Sequence, residues 1–371
     1  MLDSFKNFRD EWKLRARMAM ALRDKASTSL ATIEELNHLV ALQTVYWERR
    51  QLLAEGRERQ ALHDLNERSM SAFVFSIRGG KVHLWNKHSF SSGTREKAAC
   101  SQEQRTFLRR AMLYRVFIET VLRRNNFEHT IDLAFDVNDM PEDDADIPIF
   151  SFQKLRGAHN PLVPDVDFFH NKWYCGIHDA LRYEEKTASA CFIGSSTGAL
   201  LDVQSIRRHE TPRLRAATYF HANPKIIFRI ANAVQCLSEE AKALLMSQPY
   251  FCNHVSWEEQ LRHRFIISMD GNGAACSRLV KGLFSNSVVI KLESPYELYY
   301  FPVLRAGYDY ILAEDEESIE RIVDSEIDHV AEYRKIAISG QQFAAKYLTI
   351  RSVMDYTAQL LNAFATLNRK R

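Results

Sequence analysis

The chain has 371 residues, of which 46% are hydrophobic and 26% charged, and its formal net charge at pH 7 is +2. Such a length exceeds one ordinary hydrophobic core and predicts two domains. The near-neutral charge balance argues against a nucleic-acid partner. Six cysteines form no C-x-x-C pair, which favours reduced thiols over a metal site.

Residues 1–67 contain no proline and one glycine, which predicts a helical N-terminal extension. Its first thirty residues are basic and amphipathic. This pattern suits a weak contact with an anionic membrane surface. It equally suits a helix that packs on the protein and exposes a basic face, which is the commoner case. Thr32-x-x-Glu35 predicts a capping box at the start of a second helix.

Residues 68–185 mix strands and helices. Two strands around the Gly79-Gly80 turn predict a hairpin. The predicted strands lie at 71–77, 82–85, 130–137 and 147–152, and a long helix is predicted at 102–124. Asn138-Asp139-Met140-Pro141 follows the third strand, at the strand end where α/β sheets bind ligands. Asp139 is therefore a candidate general base, or else a turn aspartate that bonds its own backbone.

A second α/β region follows at 186–345. Its strand at 190–193 runs into Gly194-Ser195-Ser196-Thr197-Gly198, where glycines and hydroxyls could cradle an anion. The alternative is a serine-rich turn before a helix. A basic stretch comes next and contains Arg207, Arg208, Arg213 and Arg215.

Residues 264–304 predict a strand–turn–helix–strand unit and hence a parallel sheet. The strand at 264–269 ends in Asp270-Gly271-Asn272-Gly273, and the helix is predicted at 274–283. Ser277 and Arg278 lie in its first turns, where free N–H groups and a guanidinium can grip a diphosphate. The alternative is a plain glycine turn with Arg278 on the surface.

A further helix is predicted from Ser294, with Pro295 and Glu297 in its first turn. A carboxylate there could take both hydroxyls of a ribose, or it could complement the helix dipole. The remaining predicted elements are a strand at 308–312 and helices at 318–323, 330–347 and 349–371.

In their order, these motifs resemble glycosyltransferase family 90, which includes protein O-glucosyltransferases, capsule xylosyltransferases and lipopolysaccharide-modifying enzymes. The resemblance covers about residues 130–365. The matching pieces are Asn138-Asp139-Met140-Pro141, residues 147–154, residues 192–198, residues 270–278, Ser287-Val288-Val289, Glu297 and Tyr308.

The resemblance implies an α/β fold of GT-B type, in which two Rossmann-like domains face a cleft. Residues 68–185 would form the acceptor-side domain and residues 186–345 the domain that binds the nucleotide sugar. Residues 346–371 would be a helix that crosses back to the first domain, and residues 1–67 a helical extension.

The resemblance also implies an inverting transfer from a nucleotide sugar of the UDP-glucose or UDP-xylose type, without a cofactor or essential metal. Asp139 takes the role of base, and Glu297 lies near the nucleoside. The donor diphosphate falls on Gly194, Ser195, Ser196, Thr197, Ser277 and Arg278, with Gly271 and Gly273 in the adjoining turn. Many members have Phe-Arg-Gly where this chain has Phe192-Ile193-Gly194, so one of the four later arginines is expected to substitute.

We expect a glycan acceptor, such as bacterial lipopolysaccharide or capsule, and a cytoplasmic enzyme at the inner face of the membrane, since no secretory signal is apparent. Three alternatives stay open. Asp144-x-Asp146 and Asp165-x-Asp167 suit a metal-dependent GT-A transferase. Gly271-x-Gly273 suits a nicotinamide-dependent oxidoreductase. The fold also suits a non-catalytic protein that binds a carbohydrate or nucleotide.

Overall fold

The computed structural model describes residues 12–20, 30–50, 53–87, 101–125, 127–170 and 179–369. The chain divides into two compact units. Unit 1 comprises Met1–Cys175, Tyr296–Pro302 and Lys346–Arg371, and unit 2 comprises Gly176–Pro295 and Val303–Ala345. None of the helices within the described ranges is long and apolar enough to cross a membrane.

Strands and helices alternate along most of the chain. The strands are β1 (Ala72–Arg78), β2 (Lys81–Leu84), β3 (Ile131–Asp136), β4 (Ile149–Phe150), β5 (Lys154–Leu155), β6 (Thr187–Ser195), β7 (Ile226–Asn232), β8 (His263–Ser268), β9 (Val288–Leu292), β10 (Tyr296–Glu297) and β11 (Ile311–Ala313). The helices are α1 (Ile33–Arg49), α2 (Glu55–Arg68), α3 (Gln102–Arg124), α4 (Asp167–His170), α5 (Val203–Arg207), α6 (Pro212–Tyr219), α7 (Glu239–Met246), α8 (Trp257–Gln260), α9 (Ser277–Phe284), α10 (Glu316–Asp324), α11 (Glu326–Tyr347) and α12 (Ile350–Arg369).

Unit 1 contains a four-stranded sheet in the order β2-β1-β3-β4 among its described residues. Gly79 and Gly80 have φ of +55° and +71°, which fits the tight turn between β1 and β2 and confirms the predicted hairpin. β3 lies antiparallel to β1 and parallel to β4. The strand predicted at 147–152 is observed only at Ile149–Phe150 (β4), because the chain leaves the sheet after Phe150.

The helices of unit 1 largely follow their sequence signals. Thr32 Oγ1 accepts from the backbone N–H of Glu35, and the Glu35 carboxylate accepts from that of Thr32, which confirms the predicted capping box. α3 has the predicted bounds. The last helix, α12, belongs to unit 1 and packs into its core, where Tyr356 donates its hydroxyl proton to the carbonyl of Leu162 at 2.6 Å.

Residues 12–20 of the basic N-terminal segment are helical. Leu14 and Met18 are fully buried, Arg15 pairs with Glu119 at 3.0 Å, and Arg17 donates to the carbonyl of His170 at 2.5 Å. This part of the segment therefore packs on unit 1, as one of the two interpretations predicted. Residues 1–11 and 21–29 lie outside the described residues, and the membrane contact stays a prediction.

Unit 2 contains a five-stranded parallel sheet among its described residues, in the order β11-β9-β8-β6-β7. This confirms the parallel sheet that the strand–turn–helix–strand pattern predicts. The rings of Phe192 and Phe228 stack at 4.1 Å within its core. Because β6 and β8 are parallel neighbours, the loops that follow them emerge at the same edge of the sheet.

The prediction of a helix that starts at Ser294 is wrong. Tyr296 and Glu297 form β10, which pairs antiparallel with β5 in unit 1. Tyr299 lies in the core and stacks on Tyr356 with ring centroids 4.6 Å apart. Burial of this aromatic stretch overrides the local helix-start signal of Pro295. The helix predicted from residue 274 starts later, at Ser277, because Cys276 is extended.

Candidate functional site

Two glycine-containing loops lie side by side at the carboxyl edge of the unit 2 sheet. Residues 194–198 follow β6, and residues 270–273 follow β8. The backbone N–H of Gly198 donates to Asn272 Oδ1 at 3.2 Å, and Gly198 has a φ of +132° that favours glycine. The structure thus brings together Gly194–Thr197 and the Gly271–Gly273 turn. The two residues in contact, Gly198 and Asn272, are 74 positions apart in the sequence.

Arg213 ties these two loops together. It is the second residue of α6 and only 5% exposed. Its guanidinium donates to the first loop through the carbonyl of Ser195 at 2.8 Å and through Thr197 Oγ1 at 2.6 Å. It also donates to the carbonyls of Met269 and Asp270, both at 2.9 Å. Of the four arginines expected to substitute for the missing one, Arg213 is therefore the one that the structure places at the loops.

Arg278 lies beside Arg213, in the first turn of α9. It is 7% exposed, so the alternative of a surface arginine is wrong. Its Nη2 donates to the carbonyl of Ile193 at 2.5 Å, whereas its buried Nε has no hydrogen-bond partner. The guanidinium carbons of Arg278 and Arg213 lie 4.0 Å and 5.3 Å from the centroid of the Phe192 ring. The two cations therefore pack on one aromatic side chain.

Neither guanidinium is paired with a carboxylate within the described part of the chain. The carboxylate of Asp270 is engaged elsewhere, accepting from Ser294 Oγ at 2.5 Å and lying 3.5 Å from Lys291 Nζ. Burial lowers the pKa of Arg278 and lowers that of Arg213 to about 10. Two neighbouring buried positive groups without a directly paired carboxylate are unfavourable, and a bound anion would offset this. A diphosphate is such an anion, and Arg213 would attract it mainly through its charge, because its Nε, Nη1 and Nη2 already donate to loop oxygens.

The hydroxyl-bearing residues of the first loop divide into two kinds. Ser196 is fully buried and braces the loop, since its Oγ donates to the carbonyl of Val234 at 2.8 Å and accepts from that residue's N–H at 3.0 Å. Ser195 and Thr197 are partly exposed, as is Ser277 at the start of α9. A Cβ at Gly194 would come 2.8 Å from Arg278 Nη2, so a larger residue here would have to displace the guanidinium.

Asp139 lies in unit 1, on the loop that follows β3. Its Oδ1 accepts from Arg110 Nη1 at 3.0 Å, and its carbonyl accepts from Gln153 Nε2 at 2.5 Å. The side chain is 29% exposed, so a held carboxylate still reaches solvent. This is a geometry in which a carboxylate can accept a proton from a bound hydroxyl.

The other acidic pairs of unit 1 have structural contacts. Asp144 Oδ1 accepts from the backbone N–H groups of Asp146 and Ile147, at 2.7 Å and 3.2 Å, and the Asp146 carboxylate pairs with Arg50. Asp165 is buried, and burial raises its pKa to about 8. Burial raises the pKa of Asp167 as well.

Glu297 lies on β10 in unit 1, with Asp139, whereas the glycine loops lie in unit 2. Its carboxylate lies 3.8 Å from Lys154 Nζ on the paired strand β5. Its predicted role near the nucleoside stays a prediction.

The sequence motifs do not point to Arg110, although a signal was present. Arg110 lies on the same face of α3 as the buried residues Phe107, Ala111 and Tyr114. A charge on the inward face of an amphipathic helix needs a partner, and that partner is a candidate functional group.

Comparison with known proteins agrees with the sequence motifs. The family model described as Glycosyl transferase family 90 matches residues 94–371. Protein O-glucosyltransferase 2 of Danio rerio is 35% identical over 116 residues, which cover 31% of this chain and 23% of that protein. The O-glucosyltransferase rumi homolog of Aedes aegypti is 23% identical over 193 residues, 51% of this chain and 44% of that protein. These matches thus span less than half the length of either relative.

Proposed function

Because this chain belongs to glycosyltransferase family 90, we propose that it transfers a sugar from a nucleotide diphosphate donor to a hydroxyl group of an acceptor. The observation that carries the proposal is the pair of buried guanidinium groups of Arg213 and Arg278 beside two glycine-containing loops. Both lack a carboxylate partner among the described residues, and a nucleotide diphosphate would supply the opposing charge.

The donor site would stabilise the departing diphosphate. As the bond between the anomeric carbon and the diphosphate oxygen breaks, negative charge grows on the phosphates. Arg213, Arg278 and the N–H groups at the start of α9 would face that charge. We propose that these cations perform the task that a divalent ion performs in metal-dependent transferases, so that no metal is essential.

Asp139 would act as the general base of a single displacement, with inversion at the anomeric carbon. The acceptor oxygen forms the new bond as the bond to the diphosphate breaks, and the acceptor proton passes to the carboxylate of Asp139. The proposal includes a GT-B arrangement, in which Asp139 and the glycine loops act on the same sugar. It also keeps Glu297 as a residue that binds the nucleoside.

We propose a donor of the UDP-glucose or UDP-xylose type and a glycan acceptor, such as lipopolysaccharide or capsule, modified at the cytoplasmic face of a membrane. A second candidate acceptor is a serine or threonine hydroxyl of a protein. The names of the relatives favour it, since both are O-glucosyltransferases and one is called a protein O-glucosyltransferase.

The decisive experiment compares wild type with Asp139→Asn. We expect the variant to bind UDP within about threefold of wild type, because the carboxylate is not part of the donor site, and to lose at least about a hundredfold in turnover. Calorimetry measures binding, and UDP release from UDP-glucose or UDP-xylose measures turnover, with and without a chelator. Oligosaccharide and protein acceptors are offered in parallel.

Asp132→Asn is a matched control, since Asp132 lies on the same strand, β3, and pairs with Arg78. It is expected to keep wild-type turnover. Full turnover in Asp139→Asn would remove this residue from the base role. Nucleotide binding by wild type without turnover of any donor would favour the non-catalytic alternative. Loss of turnover in the chelator would favour the metal-dependent one.

A further inference from the structure

We propose that Arg110 is the positioning residue of the reaction, holding the carboxylate of Asp139 in one orientation. This inference rests on the proposed function, since it concerns the residue that we assign as the base. Neither the sequence motifs nor the comparisons assign a role to Arg110. It reaches the Asp139 loop from α3, 29 positions earlier in the chain.

A single guanidinium nitrogen makes two contacts with the Asp139 loop. Arg110 Nη1 donates to the carbonyl of Val137 at 2.8 Å and to Asp139 Oδ1 at 3.0 Å. The guanidinium carbon lies 5.6 Å from the centroid of the Phe152 ring, which supports the group from another element. Arg110 therefore couples the end of β3 to the carboxylate that follows it.

The backbone of the same loop is also held by contacts that do not involve Arg110. Asp136 is almost fully buried, and its carboxylate accepts from the backbone N–H groups of Asn138 and Glu142, both at 2.9 Å. Gln153 donates to the carbonyl of Asp139. The contact with Arg110 acts on the Asp139 side chain itself and restricts its orientation.

The charges around Arg110 direct its effect toward Asp139. The titratable groups that face it are Asp139 on the loop after β3, Asp165 and Asp167 near the start of α4, and Arg109 and Tyr114 on α3. Burial raises the pKa of Asp165 and of Asp167, which disfavours their charged forms. Asp139 is the carboxyl group to which the guanidinium donates, at 3.0 Å.

A charge-assisted hydrogen bond from a guanidinium restricts the orientation of a carboxylate. A general base has to be correctly aligned when the acceptor hydroxyl arrives. Removing Arg110 should therefore lower kcat without changing how the donor is bound.

The test uses Arg110→Gln and Arg110→Lys, with Arg123→Gln as the control. Arg123 lies on the same helix, is 61% exposed and is 3.8 Å from Glu119. We expect Arg110→Gln to lower kcat at least about tenfold, with the donor KM within about twofold. Arg110→Lys should recover only part of the wild-type kcat, since an ammonium keeps the charge and loses the fork geometry. An unchanged kcat in Arg110→Gln contradicts the inference.

A second measurement requires no turnover. Carbodiimide coupling of glycine ethyl ester to Asp139, followed by peptide mass spectrometry, reports how far the carboxylate is shielded. Labelling should rise by about threefold or more in Arg110→Gln and stay at the wild-type level in Arg123→Gln. Equal labelling in all proteins overturns the inference. If wild type consumes no donor, the proposed function fails, while this labelling still decides the contact.

Discussion

The buried carboxyl of Asp165 should make the stability of unit 1 depend on pH, and Asp165→Asn should remove that dependence. Burial raises the pKa of this carboxyl from 3.8 to about 8 in the folded protein. In wild type, Asp165 Oδ1 accepts from the backbone N–H of Asp167 at 3.1 Å. Asparagine has nearly the same shape and keeps an oxygen that can accept this hydrogen bond. The substitution therefore removes a titrating proton with little change in packing.

The sign follows from the proton balance. Between pH 4 and pH 8 the folded protein keeps the proton on Asp165 and the unfolded chain releases it, so raising the pH favours unfolding. The resulting stability is present at low pH and is lost as the pH rises toward 8. Each pH unit in this window corresponds to about 1.4 kcal/mol, so wild type loses about 3 kcal/mol between pH 5 and pH 7 through this group.

Urea unfolding at pH 5 and pH 7, followed by tryptophan fluorescence, measures this loss. Between pH 5 and pH 7, the free energy of unfolding of wild type should fall through this group by about 3 kcal/mol. We expect Asp165→Asn to lack this part of the fall. Asp132→Asn, in the same unit, should keep the wild-type loss. An equal pH dependence in Asp165→Asn and wild type would refute the assignment of a neutral buried carboxyl.

Two glycines of unit 2 allow further tests. Gly271→Ala would place a Cβ 2.3 Å from Thr197 Oγ1 and 2.9 Å from Arg213 Nη2, so we expect UDP to bind about tenfold more weakly by calorimetry. Gly282→Ala would place a Cβ 2.6 Å from Val289 Cγ2, so we expect a loss of about 1–3 kcal/mol in urea unfolding. Gly56→Ala is the control, because a Cβ there meets no atom within 4 Å, and it should not lower stability or UDP affinity. Unchanged UDP affinity in Gly271→Ala, or unchanged stability in Gly282→Ala, would contradict these packing arguments.

Local sequence determined those parts of the fold whose cause lies within a few residues. Thr32 and Glu35 satisfy each other's backbone N–H groups, so the start of α1 follows from four residues. The Gly79-Gly80 turn specifies the hairpin of β1 and β2 in the same way. Short apolar runs that end in glycine turns, at Gly194 and Gly271, predicted the parallel sheet and the sheet edge where the two loops lie.

Only the tertiary structure decided which side chains reach these loops. Four arginines follow Gly194 in the sequence and look alike, yet the position of α6, which packs against β7, brings the guanidinium of Arg213 to both loops. Likewise, the contact of Arg110 with Asp139 depends on how α3 packs beside β3. The strand at Tyr296 replaced a predicted helix because buried tyrosines gain more from the core than proline gains at a helix start. Turns and caps arise from neighbouring residues, whereas burial and charge pairing arise from segments that are distant in the chain, and this is why the sequence alone left them open.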